Sequence, residues 1–412
     1  MKIGILTYHA VYNFGANLQA LSTFCYLKNN GHDPVIIDFF PEKLEESFDK
    51  NVPLVQANAH KSFLMKHFVM TNRCRDAEGV AREIVLNNIE AVIIGSDAVV
   101  QHFTLLDRIS IFPSRRTLLK FQVAQVNYET NFPNPFWGEF IDYLDRNIKI
   151  VMMSVSCQNT DYKLIRGRTR KSIHEKMQKL SYISVRDDRT QMLIRHVSNN
   201  SIIPNVTPDP VFAFNDNFKC FTSKIETIRK FNLPENYILL SFNSAKTVSK
   251  LWLGSFKKIS AQSGYKCVAL AMPGGIRFEH EFDYKIDIPL DPIDWYSLIR
   301  YSSAYIGEKM HPVIVSIHNS VPFFSFDHYG VKRLNLFLNQ KASKIHQILE
   351  NARLSDYRSS TRNKTLKSIP KPEYVFRKIQ SFDRGKCSKF AVSMSREYKE
   401  MMEDILSVLS NK

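Results

Sequence analysis

The sequence predicts an α/β fold made of two doubly wound, parallel-sheet halves that face a cleft, with an amphipathic helix at the C-terminal end. Three observations lead there. Short apolar, β-branched runs alternate with helical patterns, the signature of parallel βαβ units. The same rhythm restarts after a turn-rich stretch at 204–210. The chain has 412 residues, 44% of them hydrophobic and 23% charged, which is a globular composition too long for one ordinary core.

Taken in order, residues 3–7 read as a first strand and 15–29 as a helix with apolar positions at Leu18, Leu21, Phe24, Cys25 and Leu27. Gly31 stands where a left-handed helix cap is wanted. Residues 35–38, 91–94, 149–155 and 182–185 read as further strands. Segments 41–80 and 100–145 fit no clean period, the second carrying Pro113, Pro133 and Pro135, and read as insertions that cover a cleft. In the second half, 237–242, 265–271, 284–288, 304–306 and 322–326 are the expected strands. Met394, Tyr398, Met401, Met402, Ile405, Leu406 and Leu409 then fall near helical spacing, and that helix is expected to pack on the body. The division expected is 1–210, 211–375 and a helical extension, 376–412.

Charge narrows the partners. Lys and Arg number 56 against 40 acids, a net +16, which implies a polyanionic substrate or partner, or an anionic membrane surface. Segment 341–390 alone holds 13 Lys or Arg against 4 acids. It reads either as a solvated face or as a docking patch for lipid head groups, at about 1 kcal/mol per near-surface cation. None of the zinc-finger, RRM or basic-zipper patterns is present, so no nucleic-acid partner is expected. The cysteines at 25, 74, 157, 220, 267 and 387 form no CxxC pair, which argues against a disulfide framework or a zinc site. No apolar run approaches the roughly 20 residues of a membrane span, and the start lacks the pattern of a signal peptide. The expected location is the cytoplasm, with peripheral contact at the inner face of the membrane.

In open α/β sheets ligands bind beyond the carboxyl ends of the strands, so the residues following each strand are the candidates. After the first strand, Asn13 and Gly15 open a helix whose free N–H groups can hold an anion or a sugar hydroxyl. The plainer reading is a βα turn with Asn17 near a cap. Gly95-Ser96-Asp97 reads as a turn with a Ser or Asp cap, or as a carboxylate that orients a sugar hydroxyl. Arg186 carries a planar fork that matches carboxylate or phosphate, unless it merely pairs with its neighbours Asp187 and Asp188. Asn243 follows the strand at 237–242. Residues 304–317 run a short strand into a helix whose expected first residue is Pro312, placing His311 and Lys309 at its mouth. Asp327, Tyr329 and Lys332 form a second polar lip.

Six segments carry a family resemblance: the opening ILTYHAVYNFGANLQALSTFCYLKNNGHDPVIIDF, then IIGSDAVV, NPFWGEF, SVRDDR, PDPVF and KMHPVIVSIHNSVPFFSF. In that order, over residues 1 to about 335, the sequence resembles the polysaccharide pyruvyl transferase family. The resemblance implies two Rossmann-like domains in a glycosyltransferase B-like arrangement, with the acceptor on the N-terminal side. It implies phosphoenolpyruvate as donor, no cofactor and no metal, and transfer of enolpyruvate to a sugar diol as a pyruvate ketal in cell-surface polysaccharide synthesis. By the same resemblance Arg186 and Lys309 clamp the donor and His311 is the acid–base group. Asn13, Gly15, Asn17, Ser96, Asp97, Asn243 and Lys332 are the substrate-binding candidates. The acceptor would be a sugar or a lipid-linked oligosaccharide. Ala98 and Val99 depart from the family pattern, as do Ser156-Cys157-Gln158 and Pro312, and these departures bear on the acceptor more than the donor. A nucleotide-sugar glycosyltransferase of the same frame, and a non-catalytic basic adaptor of envelope assembly, are the alternatives.

Overall fold

The apolar runs assemble into two parallel six-stranded sheets in a computed structural model, which describes residues 1–114, 118–123, 131–158, 160–242, 247–278, 282–333, 337–339, 342–360 and 369–411. The first sheet contains β1 (Lys2–Leu6), β2 (Asp33–Ile36), β3 (Ala91–Asp97), β4 (Lys149–Val155), β5 (Tyr182–Val185) and β6 (Asn205–Val206), in the order β2-β1-β3-β4-β5-β6. The second contains β7 (Tyr237–Ser241), β8 (Lys266–Leu270), β9 (Tyr284–Ile286), β10 (Ala304–Gly307), β11 (Phe323–Asp327) and β12 (Arg358–Ser360), in the order β9-β8-β7-β10-β11-β12. Central strands such as β4 and β7 are buried on both faces because helices cover both sides. Strand order reverses between β1 and β3 in one sheet and between β7 and β10 in the other. The loops leaving those strands diverge and open a crevice there.

Six helices matter for the site. They are α1 (Phe14–Asn29), α2 (Glu42–Asn51), α3 (Leu54–His67), α4 (Met310–His318), α5 (Lys344–Asn351) and α6 (Arg384–Ser410). Helix α1 is buried almost all round, since it lies between the two sheets. Phe14 stacks on Trp295 with ring centroids 5.3 Å apart, and Ser22 Oγ donates to the Pro210 carbonyl at 2.7 Å. Helix α6 spans both lobes. Its Cys387 Sγ donates to the Ile317 carbonyl at 3.3 Å at one end, and Met401 Sδ accepts from Ser154 Oγ at 3.3 Å towards the other. Its stripe of Cys387, Ala391, Tyr398, Met401, Met402, Ile405 and Leu409 is buried, so the amphipathic face is spent on the body of the molecule. Among the described residues no helix is long and apolar enough to cross a membrane.

Segment 41–80, read as lacking a period, contains α2 and α3. The buried side of α3 is Gln56, Ala57, His60, Phe63 and Leu64, which is helical spacing with two polar members. Leu54, Val55 and Met65 lie exposed on the same helix, so hydrophobicity alone hides the period. The polar members have partners. Gln56 Oε1 accepts from the Leu290 N–H at 2.8 Å and Gln56 Nε2 donates to the Leu290 carbonyl at 2.8 Å, clasping α3 to the second lobe. His60 stacks on Phe14.

Burial pushes the His60 imidazole down to about 4, against a small lift from its bond to the Gln56 carbonyl. His318 is pushed down to about 4 by burial as well. Unfolding returns both to the ordinary value of about 6.5. Between those values the unfolded chain binds more protons than the folded one, so stability is complete above the upper value and is lost as pH falls through the window. Melting temperature is expected to drop steadily on acidification from about pH 6.5 to about pH 4; a flat thermal-melt series across that range would contradict the burial argument.

Candidate active site

The walls of the crevice are built from loops that follow strands, together with Leu44, Ser47, Phe48 and Asn51 of α2 and the start of α5. Between the lobes they enclose a cavity of about 620 Å³. Of the residues expected from sequence, Asn13, Gly15, Asp97, Arg186, Lys309, His311 and Tyr329 line it. Asn243 lies outside the described residues. So does the side chain of Lys332, whose backbone belongs to the short strand Val331–Arg333.

Asn17 and Ser96 do not line the cavity. Asn13 is the cap of α1, its Oδ1 accepting from the Gly15 N–H at 3.0 Å and the Ala16 N–H at 3.4 Å. Asn17 sits a turn inside the helix, where its Nδ2 donates to the His9 carbonyl at 2.7 Å and holds the preceding loop. Ser96 lies within β3, which runs past the expected end. Its Oγ donates to the Ser154 carbonyl at 3.1 Å and accepts from Gln19 Nε2 at 3.3 Å.

Arg186 leaves β5 and is buried, its side chain 5% exposed. It does not pair with its sequence neighbours. Asp187 instead caps the next helix, accepting from the Thr190 N–H at 2.8 Å. Arg186 Nη1 donates to Asp209 Oδ2 at 2.7 Å and Nη2 to Asp97 Oδ1 at 3.4 Å. Burial works against the guanidinium charge, but Asp209 and Asp97 outweigh it and keep the group protonated. Burial likewise opposes ionisation of Asp97, yet Arg186, aided by His311 and Lys344, brings its pKa below the usual carboxylate value. Asp97 has φ of 100°, a region costly for a residue with a side chain. It is held there by Arg186 and by its own bond to the Ala98 N–H at 2.7 Å.

Asp209 is the residue around which the two lobes meet. Its Oδ2 accepts from Gln19 Nε2 at 2.6 Å besides Arg186, and its Oδ1 accepts from the Val211 N–H at 3.0 Å. His311 Nε2 lies 3.8 Å away, too far for a hydrogen bond. Helix α4 begins at Met310 rather than Pro312, with Lys309 as its cap residue. His311 therefore lies in the first turn, where Pro312 costs nothing because its missing N–H has no helical partner to lose. Lys309 offers no side-chain bond to the helix start, and Met310, His311 and Pro312 line the cavity wall.

The imidazole of His311 rests on Gly15 of the opposite lobe. A Cβ on Gly15 would stand 2.0 Å from His311 Nδ1 and 2.1 Å from its Cγ, so only glycine admits the ring. Burial lowers the pKa of His311, opposed by Asp209 and Asp97 and reinforced by Arg186 and Lys344, which leaves the ring neutral at neutral pH. His311 Nε2, Arg186 Nε and the Tyr8 hydroxyl are all buried without a hydrogen-bond partner among the described residues. All three residues line the cavity, where a polar ligand could satisfy them. Of the charged side chains lining the cavity, Arg186, Arg277, Lys309 and Lys344 face a single carboxylate, Asp97. The cavity therefore favours a multiply charged anion. No group of three or more His, Cys, Asp or Glu among the described residues is placed to hold a metal ion.

Sequence reasoning passed over Asp209, Lys344, Arg277 and Tyr8. Asp209 stood in the PDPVF segment of the family resemblance without being given a role, and Lys344 was one of many cations in a basic stretch, a signal that carries no position.

A family model described as polysaccharide pyruvyl transferase matches residues 13–329. No curated protein matches the chain. Among solved structures, a UDP-N-acetylglucosamine 2-epimerase from Rickettsia bellii superposes with a TM-score of 0.51 at 10% identity, covering 99% of this chain and 97% of its own. A Listeria monocytogenes protein provisionally assigned as a UDP-N-acetylglucosamine 2-epimerase gives 0.52 at 9% identity, over 100% and 97%. The Arabidopsis thaliana UGT89C1 complex with quercetin gives 0.50 at 9%, over 99% of both chains. At such identities the likeness is one of fold: two Rossmann-like lobes in the glycosyltransferase B arrangement.

Proposed function

The chain belongs to the polysaccharide pyruvyl transferase family, and from that premise we propose that it moves enolpyruvate from phosphoenolpyruvate onto two hydroxyls of one sugar, as a pyruvate ketal in a cell-surface polysaccharide. The observation that carries this reading is the meeting of His311 and Arg186, from opposite lobes, in a cavity whose charged lining is four cations to one carboxylate. Phosphoenolpyruvate brings about three negative charges, one from its carboxylate and up to two from its phosphate. Arg186 and Lys309 hold it, with the start of α4 contributing backbone N–H groups and the positive end of its dipole.

The chemistry then asks for one mobile proton. Neutral His311 takes the proton of the first sugar hydroxyl and passes it to the methylene carbon, while the hydroxyl oxygen bonds to the adjacent enol carbon. The second hydroxyl attacks the same carbon, phosphate leaves, and the second hydroxyl proton departs with it. Asp209, 3.8 Å from Nε2, stabilises the imidazolium while it exists. Such a group contributes about 10² to 10⁴ in rate. Asn13, Asp97, Gln101 and Gln158 line the same cavity and are assigned to the acceptor sugar.

The test is release of inorganic phosphate from phosphoenolpyruvate when galactosides, mannosides or glucosides with free diols are supplied. Phosphate released in step with a ketal on the sugar is the expected result. No release with any acceptor, together with uridine-nucleotide binding in the same cavity, would instead favour glycosyl transfer.

The net charge of +16 and the basic segment 341–390 support a lipid-linked acceptor met at the inner membrane face. Sedimentation with vesicles rich in anionic lipid should rise, and should fall again as salt screens the contact. Binding indifferent to both lipid charge and salt would remove this part of the reading.

A further inference from the structure

We infer that Lys344, at the first turn of α5, is a donor-binding residue supplying the uncompensated positive charge that the anionic donor requires. The inference rests on the phosphoenolpyruvate reading above and goes further, because neither the sequence motifs nor the family match points to this position. It starts from a charge count around Arg186. The guanidinium is bound to Asp209 at 2.7 Å and faces Asp97 at 3.4 Å, so two carboxylates already cancel the cation expected to hold the donor. Arg186 retains only its unpartnered Nε to offer a ligand. It orients; it contributes little net field.

Lys344 differs in having no carboxylate bonded to it among the described residues. It lines the cavity beside Arg186 and His311, yet its ammonium makes no hydrogen bond or ion pair among the described residues. Its backbone is fixed from below. Ser343 caps α5 by accepting from the His346 N–H at 3.4 Å and donates to Asp327 Oδ2 at 2.5 Å, and Asp327 is gripped in turn by Arg358 Nε at 2.6 Å. Asp327, expected on the polar lip of the cleft, is thus a buried anchor that presents Lys344 to it. Lys344 also walls a second cavity of about 290 Å³ behind the first, so Arg186, Met310 and Lys344 form the partition between the two. Burial, with Arg186 adding to it, pulls the Lys344 ammonium down to about 8, only partly offset by Asp187 and Asp97. A cation crowded by another cation in a partly dry site is stabilised when an anion enters.

The experiment compares phosphoenolpyruvate binding by calorimetry, and steady-state kinetics with an active acceptor, for the wild type, Lys344→Met and Lys344→Arg. Expected is a rise of about tenfold or more in donor Kd and KM for Lys344→Met, with kcat changed by less than about threefold, and recovery of most of the affinity in Lys344→Arg. Lys344→Gln serves in place of the methionine variant if that protein does not fold, as judged by circular dichroism. Donor Kd within about twofold of wild type in the uncharged variant would overturn the assignment while leaving the transferase reading intact. A collapse of kcat at constant KM would also overturn it, because the residue would then belong to the chemistry. Absence of phosphoenolpyruvate binding by the wild type would overturn both.

Discussion

His311→Ala is expected to lower kcat by about 10² to 10⁴ while leaving donor affinity within a few-fold of wild type. The ring is neutral because burial outweighs the pull of Asp209 and Asp97, so it enters the reaction as a base. Among the described residues its Nε2 has no partner to give up, and a carboxylate stands 3.8 Å away to stabilise the imidazolium. The donor's charge is met elsewhere, by the lysines and by the start of α4, with Arg186 orienting it. Removing the ring therefore removes proton transfer and spares binding. The pH profile carries the sharper signature. Wild-type kcat/KM should fall on acidification along a limb that lies below the ordinary histidine value, as the base is protonated, and the residual rate of the variant should lack that limb. Unchanged turnover in His311→Ala would end the assignment, and a large loss of donor affinity would make the ring a binding group instead.

Much of the fold could be read in the sequence because parallel strands announce themselves. The run at 149–155 has the same bounds in the structure as in the pattern, and 182–185 does too; both are short, apolar and closed by turn residues. Segment 41–80 was opaque for the opposite reason. The inward face of α3 is written in Gln56 and His60, whose burial depends on partners 234 residues away or on Phe14, while Leu54 and Met65 point outward. Propensity and periodicity are local, and that helix is specified by distant contacts. The site divides in the same way. Arg186, Lys309 and His311 follow strands, so topology alone carries them to the crevice. Asp209 and Lys344 reach it through a linker turn and a helix start, and a basic stretch gives no hint which of its cations faces inward. Ser96 misleads for a related reason: the strand continues three residues past its apolar run, to Asp97, and pairing at Gly95 and Asp97 turns a loop serine into an interior one.

Gly15→Ala separates close approach from conformational freedom at the lobe interface, and turnover is expected to fall about as far as in His311→Ala. Gly15 occupies the first turn of α1, and its backbone does not require glycine. Within a helix alanine is favoured over glycine by up to about 1 kcal/mol, so propensity alone predicts a neutral or stabilised protein. What forbids the methyl group is the other lobe: it would lie 2.0 Å from His311 Nδ1, well inside van der Waals contact. A side chain can swing away more cheaply than two sheets can part. The ring is therefore expected to leave its place beside Asp209 while the fold persists, with melting temperature within about 3 °C of wild type. Coupling makes the argument decisive. Once His311 has been replaced by alanine there is nothing for the methyl group to meet, so Gly15→Ala should cost almost nothing further in that background, a strongly non-additive cycle. Equal losses in both backgrounds would mean that Gly15 acts on the donor or the acceptor directly, and full activity in the single variant would mean that His311 does not pack against Gly15 in the working enzyme.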